Sequence, residues 1–305
     1  MTDAMWFDVP VLGALSQQSA AAKLDEIGET ELALKVKEAP TEADFRHGGW
    51  RWPFRTKAWQ HTAHAFGYIS PTRASVKGLR EIVDVANIDA DLSLKRTRLR
   101  VTLDALRIEE YPGSGTHHVL LDFYAQHQIR PAPEHLHFNA TYRVRAGERA
   151  AIRGYPIFLG LAAGDDGVSF RCYTVNVKSE DDQNLLSFLE SDTLKAGLKL
   201  APIAQPAIGA LTELARNITR GMAERRRNVP VQDIHRGLDF GDSPTGARLR
   251  LGSYIAMQVP DNEATFSWDQ WMFDTSKQAI VKKDRPSETV PYNYFIFAVA
   301  KYEGP

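Results

Sequence analysis

The sequence predicts a mainly β protein: an antiparallel β-sandwich carrying an N-terminal helical and irregular segment and a helical insertion. Three observations predict it. Residues 134–146, EHLHFNATYRVRA, alternate without a break, with Leu136, Phe138, Ala140, Tyr142 and Val144 on one side and His135, His137, Asn139, Thr141, Arg143 and Arg145 on the other. A period of two over this length belongs to a strand with one face buried and one face in water. The pattern recurs in about eight segments, enough for two packed layers. Helical spacing is confined to the N-terminus and to one interruption of the strand series.

Taken in order, Ser16 caps a helix over residues 20–36, rich in Ala and Leu, which Pro40 interrupts. Residues 45–69 crowd three tryptophans, Trp50, Trp52 and Trp59, into ten positions, and residues 75–86 read as a further short helix. Strands begin near residue 96. Leu99, Val101, Leu103 and Ala105 share a face, and Leu106 and Ile108 then break the phase, which predicts a bulge. After the turn YPGSG, Val119, Leu121, Phe123 and Ala125 point inward. The strand of residues 134–146 follows, then AAIRGYPIFLGLAA, and Asp166-Gly167 reads as a hairpin turn before VSFRCYTVNVK. Residues 182–196 and 206–227 form the helical insertion, with Pro206 in a first turn and Leu211, Leu214, Ala215, Ile218 and Met222 as its apolar stripe. Further strands are ARLRLGSYIAMQV, ATFSWDQWMF, QAIVKK and the final YNYFIFAVAKY. The domain reading is therefore a segment 1–95 packed on a sandwich 96–305, with the insertion at about 182–227.

The strand order over 96–178 and 229–303, with its long loops and helical insert, resembles a C2-like Greek-key sandwich. C2 domains that bind calcium carry clustered Asp residues on loops at one edge. Here the loop QIRPAPE has no Asp, and Asp165, Asp166, Asp239, Asp242 and Asp261 are scattered over other turns. The resemblance thus does not carry calcium-dependent membrane docking with it, and a shared fold does not specify function.

Composition narrows the function classes. The chain has 305 residues and a formal net charge of −1, so no global field attracts nucleic acid. A single cysteine, Cys172, leaves no intrachain disulfide and no multi-thiolate zinc site. No apolar run approaches the roughly 20 residues that span a bilayer. The N-terminus carries Asp3 and Asp8 in place of a basic n-region, and the expectation is a cytoplasmic protein.

Two groups of residues bear on chemistry. Trp50, Arg51, Trp52, Arg55 and Trp59 interleave flat rings with guanidinium groups, a combination that stacks on a ligand or a partner's hot spot. The competing reading is a clamp, with the rings buried and the cations at the wet edge. His135 and His137 share one face of a strand, and His117, His118 and His127 on the preceding strand are candidate cross-strand neighbours for a metal site. Arg143 and Arg145 oppose a bound dication, no matched carboxylate stands out, and His61 and His64 lack the Glu of a zincin. No nucleotide loop or G-x-S-x-G is present, and Cys172 alternates with Val168 and Phe170 as a buried apolar residue. The preferred expectation is a non-enzymatic interaction or ligand-binding protein, with a protein partner or small ligand at an aromatic and basic surface, no cofactor and no bound metal. The alternatives are a metal-dependent hydrolase or oxygenase built on His135, His137 and His117, and a peripheral membrane module.

Overall fold

The last strand is apolar on both faces, and the molecule is layered around it. The structure is a computed structural model that describes residues 8–42, 45, 56–71, 78–127, 134–150, 152, 154–179, 181–182, 186, 206–241, 246–260 and 266–304. Near the N-terminus lie helices α1 (Gln17–Glu26) and α2 (Thr30–Glu38). Strands β1 (Ala63–Ile69), β2 (Leu79–Glu81) and β3 (Val83–Asp84) follow, then β4 (Arg98–Ile108), β5 (Thr116–His127), β6 (Glu134–Arg145), β7 (Glu148–Arg149), β8 (Tyr155–Ala162) and β9 (Gly167–Asn176). Helix α3 (Pro206–Glu224) precedes β10 (Val229–Asp239), β11 (Gly252–Val259), β12 (Trp271–Asp274), β13 (Ala279–Lys282) and β14 (Tyr294–Lys301).

Every strand pairing in the three sheets is antiparallel. A seven-stranded sheet has the order β3-β1-β11-β14-β4, with β7 and β8 both pairing the outer edge of β4; a four-stranded sheet runs β10-β9-β5-β6, and a three-stranded one β13-β12-β2. Phe295, Phe297 and Val299 of β14 turn toward the four-stranded sheet and share a core with Phe123, Phe170 and Cys172. Tyr294 and Ile296 turn the other way, toward Phe273 and Ile280 of the three-stranded sheet. The seven-stranded sheet therefore separates two cores. The far side of the four-stranded sheet is covered by α3, through Ile218, Met222 and Ala223 against Leu120, Tyr173 and Val175.

Several local expectations are corrected. The predicted helix over residues 20–36 is two helices. Gly28 takes φ +83°, a left-handed conformation that ends the first, so α2 starts afresh at Thr30. Ser16 does cap α1, accepting from the Ser19 amide at 3.2 Å. Strands begin at residue 63 rather than 96, and β1 sits inside the seven-stranded sheet. Within residues 75–86, the described part is extended or 3-10, not α-helical. The expected bulge in β4 falls at Asp104: Ile296 pairs Ala105 while Phe297 pairs Leu103. Asp166-Gly167 does not close a hairpin, because β8 pairs β4 in one sheet and β9 pairs β5 and β10 in the other. Of the insertion, residues 183–185 and 187–205 lie outside the described residues. On α3, Ala215, Ile218 and Met222 are buried as expected, but Leu214 is 40% exposed. The covered face is rotated toward Thr212, Thr219 and Ala223.

Candidate functional site

Two places gather functional groups. The first is the face of the four-stranded sheet beneath α3. Its strand partners put Asp122 opposite Asn139, Tyr124 opposite His137, and Gln126 opposite His135. The carboxylate that sequence reading did not find is Asp122, whose Oδ1 accepts from His137 Nδ1 at 2.9 Å. Both side chains are buried. Asn139 Nδ2 donates to the Ala215 carbonyl at 2.9 Å and to Thr219 Oγ1 at 2.8 Å, which pins the helix to this spot. Tyr124 stacks on His135 and bonds its Nδ1. Beyond it, Arg171 makes a two-pronged pair with Asp233, with Nε at 2.6 Å from Oδ1. Burial lowers the pKa of His135, with His137 adding to the effect, and burial raises that of the Tyr124 hydroxyl against the pull of Arg171.

The face expected to be wet is thus partly covered, and the metal arrangement fails on geometry. His117 pairs Val144, seven rungs from the Tyr124–His137 rung, and an odd offset places it on the opposite face of the sheet. At about 3.4 Å per residue it lies on the order of 20 Å away. His118 pairs Arg143, six rungs from the Tyr124–His137 rung and so about as remote, whereas His127 pairs Glu134, one rung beyond the Gln126–His135 rung at the end of the strand. Among the described residues no group of three His, Cys, Asp or Glu side chains could hold a metal ion. Cys172 pairs Phe123 and faces the inner core, so it offers no nucleophile to His137.

The aromatic and basic segment divides. Trp50, Arg51, Trp52 and Arg55 lie outside the described residues. Trp59 is 1% exposed, a correction to its reading as a binding ring. It sits in a 3-10 turn, Ala58–Gln60, that is closed by Lys57 N donating to Gln60 Oε1 at 2.7 Å and anchored by Gln60 Nε2 donating to the Phe45 carbonyl at 2.5 Å. That turn carries the ring into the central core, where it acts as a clamp.

The second place is an open groove of ≈ 610 Å³ beside the three-stranded sheet. Its geometry follows from β12 and β13. Phe273 pairs Ile280, and both enter the core; two rungs on, on the same face, Trp271 pairs Lys282 at the rim. Trp271, Phe266 and Tyr292 pack against that core while staying partly exposed. Phe266 lies nearly parallel to Trp271, with centroids 6.5 Å apart, and edge-on to Tyr292 at 6.3 Å. Trp268 buttresses Phe266 at 4.9 Å, and its Nε1 donates to the Phe66 carbonyl at 3.0 Å. Gly67 makes this seat possible, since a Cβ there would fall 2.9 Å from the Trp268 ring. Gln270, Lys282, Ser287 and Glu288 supply the polar rim. The signal in the sequence was the run FSWDQWMF; its aromatics read as an ordinary strand, because alternation does not show which ring emerges from the core.

A smaller polar cavity of ≈ 510 Å³ lies where α1 ends against β5 and β9, lined by Glu26, His118, Lys178 and Arg227 among others. Lys178 there is engaged by Glu29 at 2.8 Å. No helix among the described residues is long and apolar enough to cross a membrane. No protein-family model, curated protein or solved structure matches the chain.

Proposed function

We propose that the protein binds a small ligand, without catalysis, in the groove formed by Phe266, Trp271 and Tyr292. The observation that carries this is the coincidence of three partly exposed rings with a polar rim around a concavity of ≈ 610 Å³. Small-molecule sites are concavities of about 300–1,000 Å³ in which polar groups fix orientation, and this groove has that size and exposes polar and apolar surface in comparable measure. Lys282 retains the aromatic and basic character expected of the site, at a position different from residues 50–59. The Asp122–His137 pair supports a structural role instead, since both side chains are buried. The two facing sheets are read as a sandwich of the C2-like Greek-key kind, supported by the passage of the chain between sheets at β4–β5 and β8–β9.

The test is a thermal-shift screen of aromatic and polyol fragments against the wild type and Trp271→Ala. Fragments that raise Tm in the wild type and lose that effect in the variant support the groove. A ligand at about 100 times its Kd adds about 2.7 kcal/mol, a readily measured shift. Hits that act equally on both proteins would place binding elsewhere.

A further inference from the structure

Resting on that reading of the groove, we infer that its ligand is a neutral saccharide. The argument begins with charge. The two lining segments, residues 266–271 and 282–292, carry Lys282, Lys283 and Arg285 against Asp269, Asp284 and Glu288, which cancel. Within the groove, Lys282 and Glu288 stand on the same rim. An anion attracted by the ammonium meets the carboxylate, and a cation meets the reverse, so neither charge is selected. Arg285 Nη1 reaches Glu288 Oε1 at 2.6 Å, which holds that carboxylate in place and leaves its other oxygen as an acceptor.

The rim also mixes donors and acceptors. Among the described residues, the side chains of Gln270, Ser287 and Lys282 make no hydrogen bond, and they line the groove beside Glu288. Gln270 and Ser287 both donate and accept, Lys282 only donates, and an ionised Glu288 only accepts. A hydroxyl group, donor and acceptor at once, answers each of them. The floor makes the complementary demand. The partly exposed face of Trp271, next to Phe266 and Tyr292, needs an apolar surface to cover it. A pyranose joins these properties in one molecule, with C–H groups on its faces and hydroxyls around its edge. The volume of ≈ 610 Å³ admits one or two such rings.

The experiment titrates the full chain with glucose, galactose, N-acetylglucosamine, cellobiose and maltose, following tryptophan emission and calorimetric heat. Glucuronate, glucosamine and adenosine serve as comparison probes. The expected result is saturable binding of at least one neutral sugar, weaker binding of its charged counterpart, and at least a tenfold loss of affinity in Trp271→Ala. Because Trp271 also touches the core, Lys282→Gln is a second variant on the rim; it should keep the wild-type Tm and weaken the sugar several-fold. No response to any neutral sugar at about 50 mM, far above a Kd of about 1 mM, overturns the saccharide assignment. Adenosine binding that depends on Trp271, with sugars inert, leaves the groove standing and removes the sugar. Sugar binding indifferent to both substitutions removes the groove.

Discussion

His137 shows how a polar residue on an alternating strand changes meaning once a helix lies over it. Its Nδ1–H is committed to Asp122, and both side chains are out of water. His137→Ala leaves a buried carboxylate without its donor, so it should cost about 2–4 kcal/mol. Urea denaturation measures this; a loss below about 0.5 kcal/mol would mean that the pair is hydrated. His117 supports a prediction of the opposite kind. It is buried on the inner face, edge-on to Tyr111 and with Nδ1 3.3 Å from Asn176 Nδ2. Burial lowers its pKa, and Lys178 lowers it further. A base with a depressed folded pKa favours the fold above its unfolded pKa, and that contribution is lost as pH falls toward the folded value. Stability should therefore decline from about pH 7 to about pH 5, and His135 and His235, lowered mainly by burial as well, add to the slope. His117→Phe should flatten the Tm profile over that window, and an unchanged profile would assign the slope elsewhere.

At the scale of elements, α3 is an amphipathic helix whose covered face is set by its contacts rather than by its most apolar stripe. Leu214 is exposed, while Met222 is buried against Asn228 and the outer face of the sheet. Leu214→Asp should thus alter stability by no more than about 0.5 kcal/mol, as at other solvent positions. Met222→Ala should cost about 2–4 kcal/mol, because it opens a cavity among Ile218, Tyr173 and Val175. Chemical denaturation of the two variants side by side decides the rotation, and equal effects would contradict it. The arginines that trail this helix are tied locally: Arg220 to Glu224 at 2.8 Å, Arg225 to Asp182, and Arg226 to Glu26 at 3.1 Å. The first pair lies within α3, and the other two tie the chain just after the helix to Asp182 and to the end of α1, so each of these three cations has a carboxylate partner.

For the whole molecule, the three sheets are held by two cores on opposite faces of the seven-stranded sheet. Phe123 is the hub of the larger core, within 5.5–6.0 Å of Phe158, Phe170, Phe295 and Phe297. Three of those rings belong to the seven-stranded sheet, so the contacts join two layers. Phe123→Ala should cost about 3–5 kcal/mol and lower the near-ultraviolet signal of the packed rings before unfolding. A native near-ultraviolet spectrum with unchanged stability would show that the layers do not depend on this ring.

The period of two, visible at 134–146, determined by itself that the chain is mainly antiparallel β, and helical spacing over 206–227 marked a long helix, because side-chain direction along a strand or helix is a local property. Strand partnership is not local. That β8 and β9 part into different sheets, that His117 faces away from His137, and that Asp122 reaches His137 all depend on register between distant segments. Coverage is equally non-local: the packing of α3 on Asn139, Leu120 and Tyr173 covers part of a face predicted to be wet. The groove was hidden for the same reason. Phe266, Trp271 and Tyr292 look like any buried aromatics in the sequence, and only the point at which the core ends leaves them partly open to water.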